Sequence, residues 1–323
     1  MVTLPTTAQI GKRLTIALRD SHGNTRELLG TLLDPRTIRT RDGASESFDP
    51  EAITNWRVVS EVATKAGRGA PLSMRVREIE SVLTNTWPRV HSAQDGNWNL
   101  RYTEHDSEFA NSVLPTGARP FGEPDSELDQ AIADAVTFYA LHNQTPAIAV
   151  TLAIYPQLDD HLDYQGWRIA GETNIMVADT SDVPNSPQHA SASQLRGIRC
   201  ETREVLTSSW CDFQGANPLM GVINRYPAYY LSVFIDEQQV AAARIAMNGG
   251  WGVITRVKVQ SEHRLHGIGR LLIQKAAEVS SGHNSYKLAL QVDGSNSNAL
   301  TFFRSVGFRA HHRNRYRVHA LTN

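Results

Sequence analysis

The stretch that decides the fold is VKVQSEHRLHGIGRLL, which runs from Val257 to Leu272. Its alternating apolar start predicts the end of a β-strand, and Gly267 and Gly269 predict the start of a helix. Free N–H groups and the positive end of the helix dipole make such a start an anion site. Glycine lets the backbone approach a phosphate, and Arg264 adds a cation. The stretch therefore predicts a phosphate-binding turn or, as the plainer alternative, a tight strand-to-helix turn.

This turn differs from two common nucleotide-binding motifs. It contains a single Arg-x-x-Gly-x-Gly pattern, and no acidic residue ends a following strand at the spacing of a dinucleotide fingerprint. It also lacks the Gly-Lys-Ser/Thr sequence of a P-loop. Neither a dinucleotide-binding fold nor a P-loop nucleotidase is therefore indicated.

Regular elements are predicted on both sides of the turn. A hairpin and a third strand precede it, and a strand and a short helix closed by a glycine follow it. A further helix is predicted from Glu201 to Phe213. The predicted strands are Tyr229–Ile235, Gln239–Met247, Trp251–Val259 and Lys287–Val292, and the predicted helices are Arg264–Ser280 and Ser297–Val306.

The two segments together resemble motifs A and B of the GNAT N-acetyltransferase superfamily. The first motif is the glycine turn, and the second runs from Asn296 through Ala299 to Gly307 and Phe308. The resemblance covers about Leu195 to Val318. It implies an α/β (α+β) fold in which acetyl-CoA lies in the V between two strands of a splayed mixed sheet.

The resemblance also implies which residues contact the coenzyme. Backbone groups of Val257 and Val259 would pair with the pantetheine arm and polarise the acetyl carbonyl. Asn296 would bond the pantetheine, a role compatible with capping its own helix. The pyrophosphate would lie on the turn formed by Arg264, Leu265, His266, Gly267, Ile268, Gly269 and Arg270. No metal is implied.

One position departs from the family pattern. The family usually has a tyrosine four residues before the Gly-Phe pair as general acid for the departing thiolate, and this chain has Phe303 there. We therefore expect Phe303 to contact the coenzyme without donating a proton. Tyr316, in the terminal segment HHRNRYRV, is the candidate acid, and the alternative is an aromatic residue packed on the sheet.

The attacking amine must lose a proton, so a carboxylate, a histidine or an ordered water should accept it. The sequence offers Asp212, Glu201, Glu262 and His311. Each of them is equally compatible with a solvated surface group.

Two further regions precede this one. Hairpin signals at Ser21–Asn24 and Asp42–Gly43 predict a small β-barrel that resembles a Src-homology-3-like or Sm-like module for docking, or for binding peptide or RNA. A degenerate GNAT-like lobe follows, with helices at Leu72–Leu83 and Ser126–His142, the second capped by Ser126. Linker-like segments at 62–71 and 180–192 suggest a barrel at 1–62, a lobe at 72–180 and a GNAT domain at 190–323.

The middle region is not expected to bind coenzyme. The segment before its second predicted helix, PTGARPFGEPD, lacks the Arg-x-x-Gly-x-Gly turn. Trp98, Arg101 and Asn111 are candidates for the acceptor cleft, and the alternative is buried structure between lobes.

The whole chain resembles an actinobacterial group of three-part acetyltransferases. The group includes kinase-free N-acetylglutamate synthases of arginine biosynthesis and proteins called histone-like acetyltransferases. The favoured acceptor is the α-amine of L-glutamate, because guanidinium groups pair with carboxylates. Arg244 and Arg256 are the favoured acceptor-binding residues among four candidates that also include Arg315 and Arg317. A protein lysine acetyltransferase recruited by the barrel, and a non-catalytic acyl-CoA sensor, are the alternatives.

Composition sets the outer limits. The 323 residues carry a formal net charge of -1, which argues against general nucleic-acid binding. Two cysteines do not make a disulfide framework or a zinc cluster. No apolar run is long enough to span a membrane, and MVTLPTTAQIGKRL lacks a signal-peptide core, so we expect a cytoplasmic protein. Both a monomer and an oligomer are compatible with this composition.

Overall fold

The computed structural model describes residues 4–19, 25–40, 44–58, 65–87, 91–103, 110–184, 197–215 and 220–320. The chain divides into two compact units, Met1–Thr64 and Lys65–Asn323. The turns expected at 21–24 and 42–43, part of the expected linkers and Phe109 lie outside the described residues. Within the described ranges, we find no helix with the length and apolar character that a membrane span requires.

The first unit contains a five-stranded antiparallel sheet in the order β4-β3-β2-β1-β5. Alternate residues of β1, such as Leu14, Ile16 and Leu18, are buried in its core. The resemblance of this unit to a small barrel stays a prediction. The strands are β1 Arg13–Arg19, β2 Thr25–Asp34, β3 Thr37–Thr40, β4 Ser45–Ser47 and β5 Ile53–Val58.

The second unit is built on one mixed sheet of eleven strands in the order β11-β12-β13-β14-β15-β10-β16-β9-β8-β7-β6. Its first five strands along the chain are β6 His91–Asp95, β7 Trp98–Tyr102, β8 Val113–Pro115, β9 Ala147–Thr151 and β10 Arg168–Asp179. The others are β11 Ile198–Arg203, β12 Tyr229–Ile235, β13 Gln238–Asn248, β14 Trp251–Val259, β15 Lys287–Asp293 and β16 Arg309–Val318.

Helices cover both faces of this sheet. The side chains of α6 at Ile268, Leu272 and Ala276 recur at helical spacing and are buried against β12 to β15. The helices are α1 Leu72–Thr86, α2 Leu128–Leu141, α3 Pro156–Tyr164, α4 Ser208–Gln214, α5 Met220–Ile223, α6 Ile268–Gly282 and α7 Ser297–Ser305. The GNAT-like mixed sheet with flanking helices that the sequence predicts is confirmed.

The same succession of elements occurs twice in the second unit. In the middle lobe (72–184), β8 leads through α2 to the parallel strand β9, and α3 then leads to β10. In the C-terminal lobe (197–320), β14 leads through α6 to the parallel strand β15, and α7 then leads to β16. The last strands are exchanged: β10 pairs with β15, and β16 pairs with β9. The three-part boundaries stay a prediction, since both lobes contribute to one sheet.

Two local expectations are wrong. The segment from Glu201 to Phe213 is not one helix, because Ile198–Arg203 pairs with β12 as a strand and Thr207 caps α4 only after it. Ser126 does not cap α2, because its hydroxyl donates to Asp95 Oδ2 at 2.7 Å and the capping position is Glu127.

Candidate active site

The central opening of the sheet lies between β14 and β15. These parallel strands pair from Trp251 with Lys287 to Ile254 with Leu290, and the pairing stops there. β14 continues to Val259 and β15 to Asp293. The two strands therefore present unpaired edges to each other beyond Ile254 and Leu290, which is the splay that the resemblance to the GNAT superfamily implies for the C-terminal lobe.

A β-bulge interrupts β14 at this splay. Ala242 of β13 pairs with Lys258, whereas Arg244 pairs with Thr255, so one residue of β13 faces the two residues Arg256 and Val257. Arg256 has a φ of 57°, in the left-handed region. Its backbone is therefore strained, and the peptide that joins it to Val257 is turned relative to a regular strand.

The turn from β14 to α6 ends at Gly267, which has a φ of 83° and occupies the capping position of α6. Leu265 also has a positive φ, 64°, and its side chain is fully exposed. The helix begins at Ile268, four residues later than the start at Arg264 that the sequence predicts. The first N–H groups of α6 have no partner within the helix, so this end is suited to an anion.

Other residues of the turn have contacts of their own. The Arg264 Nε donates to the Val259 carbonyl at 3.2 Å, and the Arg270 Nη1 donates to the Ser305 carbonyl at 3.3 Å. A Cβ on Gly269 would lie 3.0 Å from the Phe302 ring of α7. Gly269 therefore permits the close packing of α6 against α7. This packing is a reason for glycine at position 269 that the sequence alone did not suggest.

Asn296 and Phe303 lie on α7. Asn296 caps this helix, since its Oδ1 accepts from the Ala299 N–H at 3.0 Å. Phe303 is buried in the core of the C-terminal lobe, with its ring edge-on to Phe308. The capping role of Asn296 is confirmed, and its contact with pantetheine stays a prediction.

Comparison with known families agrees with this geometry. The family model described as "Probable histone acetyltransferase Rv0428c C-terminal" matches residues 73–317 of the chain. The chain belongs to this family. It is a GNAT-type N-acetyltransferase, and the sensor alternative is therefore wrong.

Individual relatives are distant but cover most of the second unit. An uncharacterized N-acetyltransferase of Bacillus subtilis, YobR, is 22% identical over 253 residues, 75% of this chain and 98% of the relative. A GCN5-related N-acetyltransferase from Kribbella flavida has a TM-score of 0.60 at 15% identity, over 79% of this chain and 98% of its own. A tandem GNAT protein from the clavulanic acid biosynthesis pathway has a TM-score of 0.52 at 14% identity, over 82% and 92%. Both solved structures are similar to this chain in fold.

In this GNAT-type N-acetyltransferase, Tyr316 is buried beside the splay. Its hydroxyl accepts a hydrogen bond from Gln291 Nε2 at 3.0 Å, and Gln291 is the first residue of β15 beyond the paired region. Burial raises the pKa of Tyr316 well above its usual value. The hydroxyl is therefore protonated at neutral pH, and its role as the general acid stays a prediction.

The four candidate arginines fall into two groups. Arg315 and Arg317 are held by the carboxylates of Asp159, Glu172 and Asp163, with contacts from 2.5 to 2.8 Å. Their charges stabilise the junction of β16 with α3 and β10.

Arg244 and Arg256 have different surroundings. The side chain of Arg244 is fully buried, its Nη2 donates to the Thr86 carbonyl at 3.0 Å, and it lies 5.8 Å from the Trp87 ring centroid. Its Nε and Nη1 make no close hydrogen bond among the described residues, but Tyr230, its cross-strand neighbour on β12, is near enough to interact with the guanidinium. Burial lowers the pKa of both arginines.

The candidate bases are scattered. Glu201 is ion-paired with Arg199 and with Arg203 on the edge strand β11. Glu262 and Asp212 are exposed. His311 is half-buried, and burial together with His312 lowers its pKa to about 4, so it is neutral at pH 7. The structure does not bring these groups together.

The middle-lobe candidates contribute to a buried polar network. Arg101 donates from Nε to the Ser112 carbonyl at 3.0 Å and from Nη1 to Thr84 Oγ1 at 3.2 Å. Asn111 Oδ1 accepts from the Thr103 N–H at 2.7 Å, and the Trp98 Nε1 donates to the Phe121 carbonyl at 2.8 Å. These contacts all lie within the middle lobe, so the three residues are buried structure of that lobe, and their place in an acceptor cleft stays a prediction.

Sequence reasoning missed three polar residues around the splay. Thr255 pairs with Arg244, and its buried Oγ1 has no partner among the described residues. Gln291 interrupts an otherwise apolar strand, and its Nε2 also contacts Thr173 at 3.2 Å. Gln214 ends α4 and donates to the backbone of the bulge. The signal that was available for Gln291 is a single polar residue within the segment LALQV.

Proposed function

We propose that this enzyme transfers the acetyl group of acetyl-CoA to the primary amine of an acceptor that carries a carboxylate. The α-amine of L-glutamate is the first candidate, which corresponds to an N-acetylglutamate synthase activity. The observation that carries the choice of acceptor is the fully buried Arg244 beside the splay, whose Nε and Nη1 make no close hydrogen bond within the part of the chain that the structure describes.

The C-terminal lobe fits acetyl-CoA as substrate. The unpaired edges of β14 and β15 offer backbone groups to an extended pantetheine arm, and the start of α6 offers N–H groups to a pyrophosphate. The proposed contacts are those expected from the sequence, from Arg264 to Arg270 with Val257, Val259, Asn296 and Phe303.

Arg244 supports an anionic acceptor. A guanidinium that is removed from water without full hydrogen bonding is costly, so a ligand that supplies the missing acceptors would bind strongly. Thr255, its cross-strand neighbour, adds a hydroxyl on the same side, where the splay begins. Arg256 lies one residue further along β14. An acceptor carboxylate at Arg244 would thus lie beside β14, near the point where β14 and β15 separate.

The transfer itself requires two proton movements. The acceptor reacts as the neutral amine, after its ammonium form has released a proton to solvent water. The amine nitrogen bonds to the thioester carbonyl carbon, the carbon–sulfur bond breaks, the nitrogen loses one proton to solvent water, and the thiolate of CoA gains one. Tyr316 is the proposed donor of the second proton, and Gln291 orients its hydroxyl.

An acceptor screen with acetyl-CoA and a thiol-release readout tests this function. Arg244→Met should raise the KM for glutamate by about ten- to a hundredfold, the cost of losing a charge-assisted bond, while acetyl-CoA affinity stays unchanged. Arg203→Met is the matched control, since Arg203 is exposed and pairs with Glu201 on the far edge of the sheet. An unchanged KM in the Arg244 variant would exclude Arg244 as the carboxylate partner.

A protein lysine acceptor is the second candidate, because the family to which the chain belongs is described as a probable histone acetyltransferase. In that case the separate first unit would recruit the target protein. Thiol release with a lysine peptide but not with glutamate, in the same screen, would replace the first candidate by the second.

A further inference from the structure

The bulge in β14 has an arginine where glycine is usual. Bulges whose first residue is left-handed normally have glycine there, because a Cβ makes that conformation unfavourable. Arg256 adopts it with a φ of 57° at the point where β14 leaves β15. Such a conformation persists only when surrounding contacts hold it, so the contacts of this peptide are informative.

Two side chains connect the bulge to the end of α4. Gln214, the last residue of α4, donates from Nε2 to the Arg256 carbonyl at 2.7 Å. Lys258 donates from Nζ to the Phe213 carbonyl at 2.6 Å and lies 5.3 Å from the Phe213 ring centroid. We call these two contacts the α4 clasp. The Gln214 contact acts directly on the strained peptide, whereas the Lys258 contact holds the helix to the strand.

The Gln214 contact also fixes a backbone donor. The Arg256 carbonyl and the Val257 N–H belong to one peptide unit, and in a trans peptide they point in opposite directions. Because Gln214 holds the carbonyl towards α4, the Val257 N–H points away from α4. Val257 is the residue whose backbone is proposed to polarise the acetyl carbonyl.

We propose that Gln214 is a positioning residue that holds the peptide between Arg256 and Val257 with its N–H directed at the thioester carbonyl of bound acetyl-CoA. The inference rests on the proposed coenzyme site in the splay. Gln214 itself touches neither substrate, and its effect on the reaction passes through one backbone N–H.

The test uses the full-length protein and acetyl-CoA labelled with carbon-13 at the carbonyl. Hydrogen bonding to a carbonyl lowers its stretching frequency, so infrared difference spectra report the donor without any acceptor present. Gln214→Met removes the N–H donor at similar side-chain length and should move the stretch of the bound thioester back towards its value in solution. It should lower kcat by about ten- to a hundredfold, part of what loss of an oxyanion donor costs, with little change in the KM for acetyl-CoA.

Two further variants separate positioning from general damage. Gln214→Lys keeps an N–H donor and should retain most of the frequency shift. Gln94→Met is the matched control, because Gln94 is exposed on the edge strand β6 and its Nε2 donates to Asn99 Oδ1 at 3.2 Å.

The outcomes distinguish the inference from the function on which it rests. Failure of the wild-type protein to bind acetyl-CoA in calorimetry would overturn both. A lowered stretch in the wild type that Gln214→Met leaves unchanged would overturn the role of Gln214 alone. A Gln214→Lys variant as impaired as Gln214→Met would do the same, because the donor would then not be the cause.

Discussion

The middle lobe and the C-terminal lobe build the same strand–helix–strand unit but differ in the loop that leads into its helix. At the start of α6, Gly267 turns the chain and leaves the first N–H groups available. In the loop before α2, which is capped at Glu127, a carboxylate is bound instead: Asp95 Oδ1 accepts from the N–H groups of Asp125 and Ser126 at 2.9 and 3.2 Å. The middle lobe thus supplies an anion from its own chain.

The surroundings strengthen this difference. The residues next to the start of α2 are acidic: Glu123, Asp125, Glu127 and Asp129. The opening between β8 and β9 is crossed by side chains, since the Tyr155 hydroxyl donates to the Gly117 carbonyl at 2.7 Å and the Arg119 Nη2 donates to the Ala153 carbonyl at 3.0 Å. Shared topology therefore does not make a shared site, and a few loop residues decide which lobe is suited to a phosphate.

The largest expected effect comes from adding an anion to the C-terminal lobe, in imitation of the middle lobe. Gly267→Asp should reduce acetyl-CoA affinity by at least about a hundredfold, because the new carboxylate lies where the pyrophosphate is proposed to bind. Calorimetric titration measures the affinity.

Gly166→Asp is the control for this change. Gly166 follows α3 with a φ of 82°, and a Cβ at this position would meet no atom within 4 Å. The substitution therefore carries a similar backbone strain, about 1–2 kcal/mol, without a steric clash. Wild-type affinity in a folded Gly267→Asp variant would remove the proposed difference between the lobes.

The next effect concerns a residue that lies between the lobes. Tyr316 belongs to the C-terminal lobe, but its strand pairs with β9 and β10 of the middle lobe. Tyr316→Phe should lower turnover by about a hundredfold, the typical contribution of a positioned acid, and should leave acetyl-CoA affinity almost unchanged. Turnover equal to the wild type would assign Tyr316 to packing alone.

The smallest effect comes from removing the anion of the middle lobe. Asp95→Ala leaves the N–H groups of Asp125 and Ser126 without their acceptor and should lower the free energy of unfolding by about 1–3 kcal/mol in urea titration. The number of acetyl-CoA molecules bound per chain should stay at one, because the acidic residues remain. A second binding event in this variant would show that Asp95 alone separates the lobes.

Much of the C-terminal lobe follows from the sequence by local rules. Its central strands are short apolar runs, Asn296 caps α7, and the glycine turn separates β14 from α6, so hydrophobic patterning and turn chemistry suffice to predict these elements. The strand at Ile198–Arg203 was missed because its residues, IRCETR, become a strand only by pairing with β12.

The features that distinguish this chain depend on distant partners. Three of them join residues far apart in sequence. They are the exchange of β10 and β16, the α4 clasp, and the bond from Arg244 to the Thr86 carbonyl. Gly269 illustrates the same limit, because its neighbour Phe302 lies on another helix and no local pattern indicates this contact. The sequence therefore predicts the position of the proposed coenzyme turn, which depends on local residues. It does not predict the contacts around the proposed acceptor site, which depend on distant ones.

The exchange of final strands has a consequence for inheritance. β10 lies between β15 and β16, and β9 pairs with the other edge of β16, so a deletion of the middle lobe from the gene would leave three strand edges in the remaining lobe without their partners. Such a product would be prone to aggregate rather than to act as a smaller enzyme. Loss of the middle lobe would therefore be selected against even though its segment PTGARPFGEPD lacks the Arg-x-x-Gly-x-Gly turn, because each lobe completes the sheet of the other.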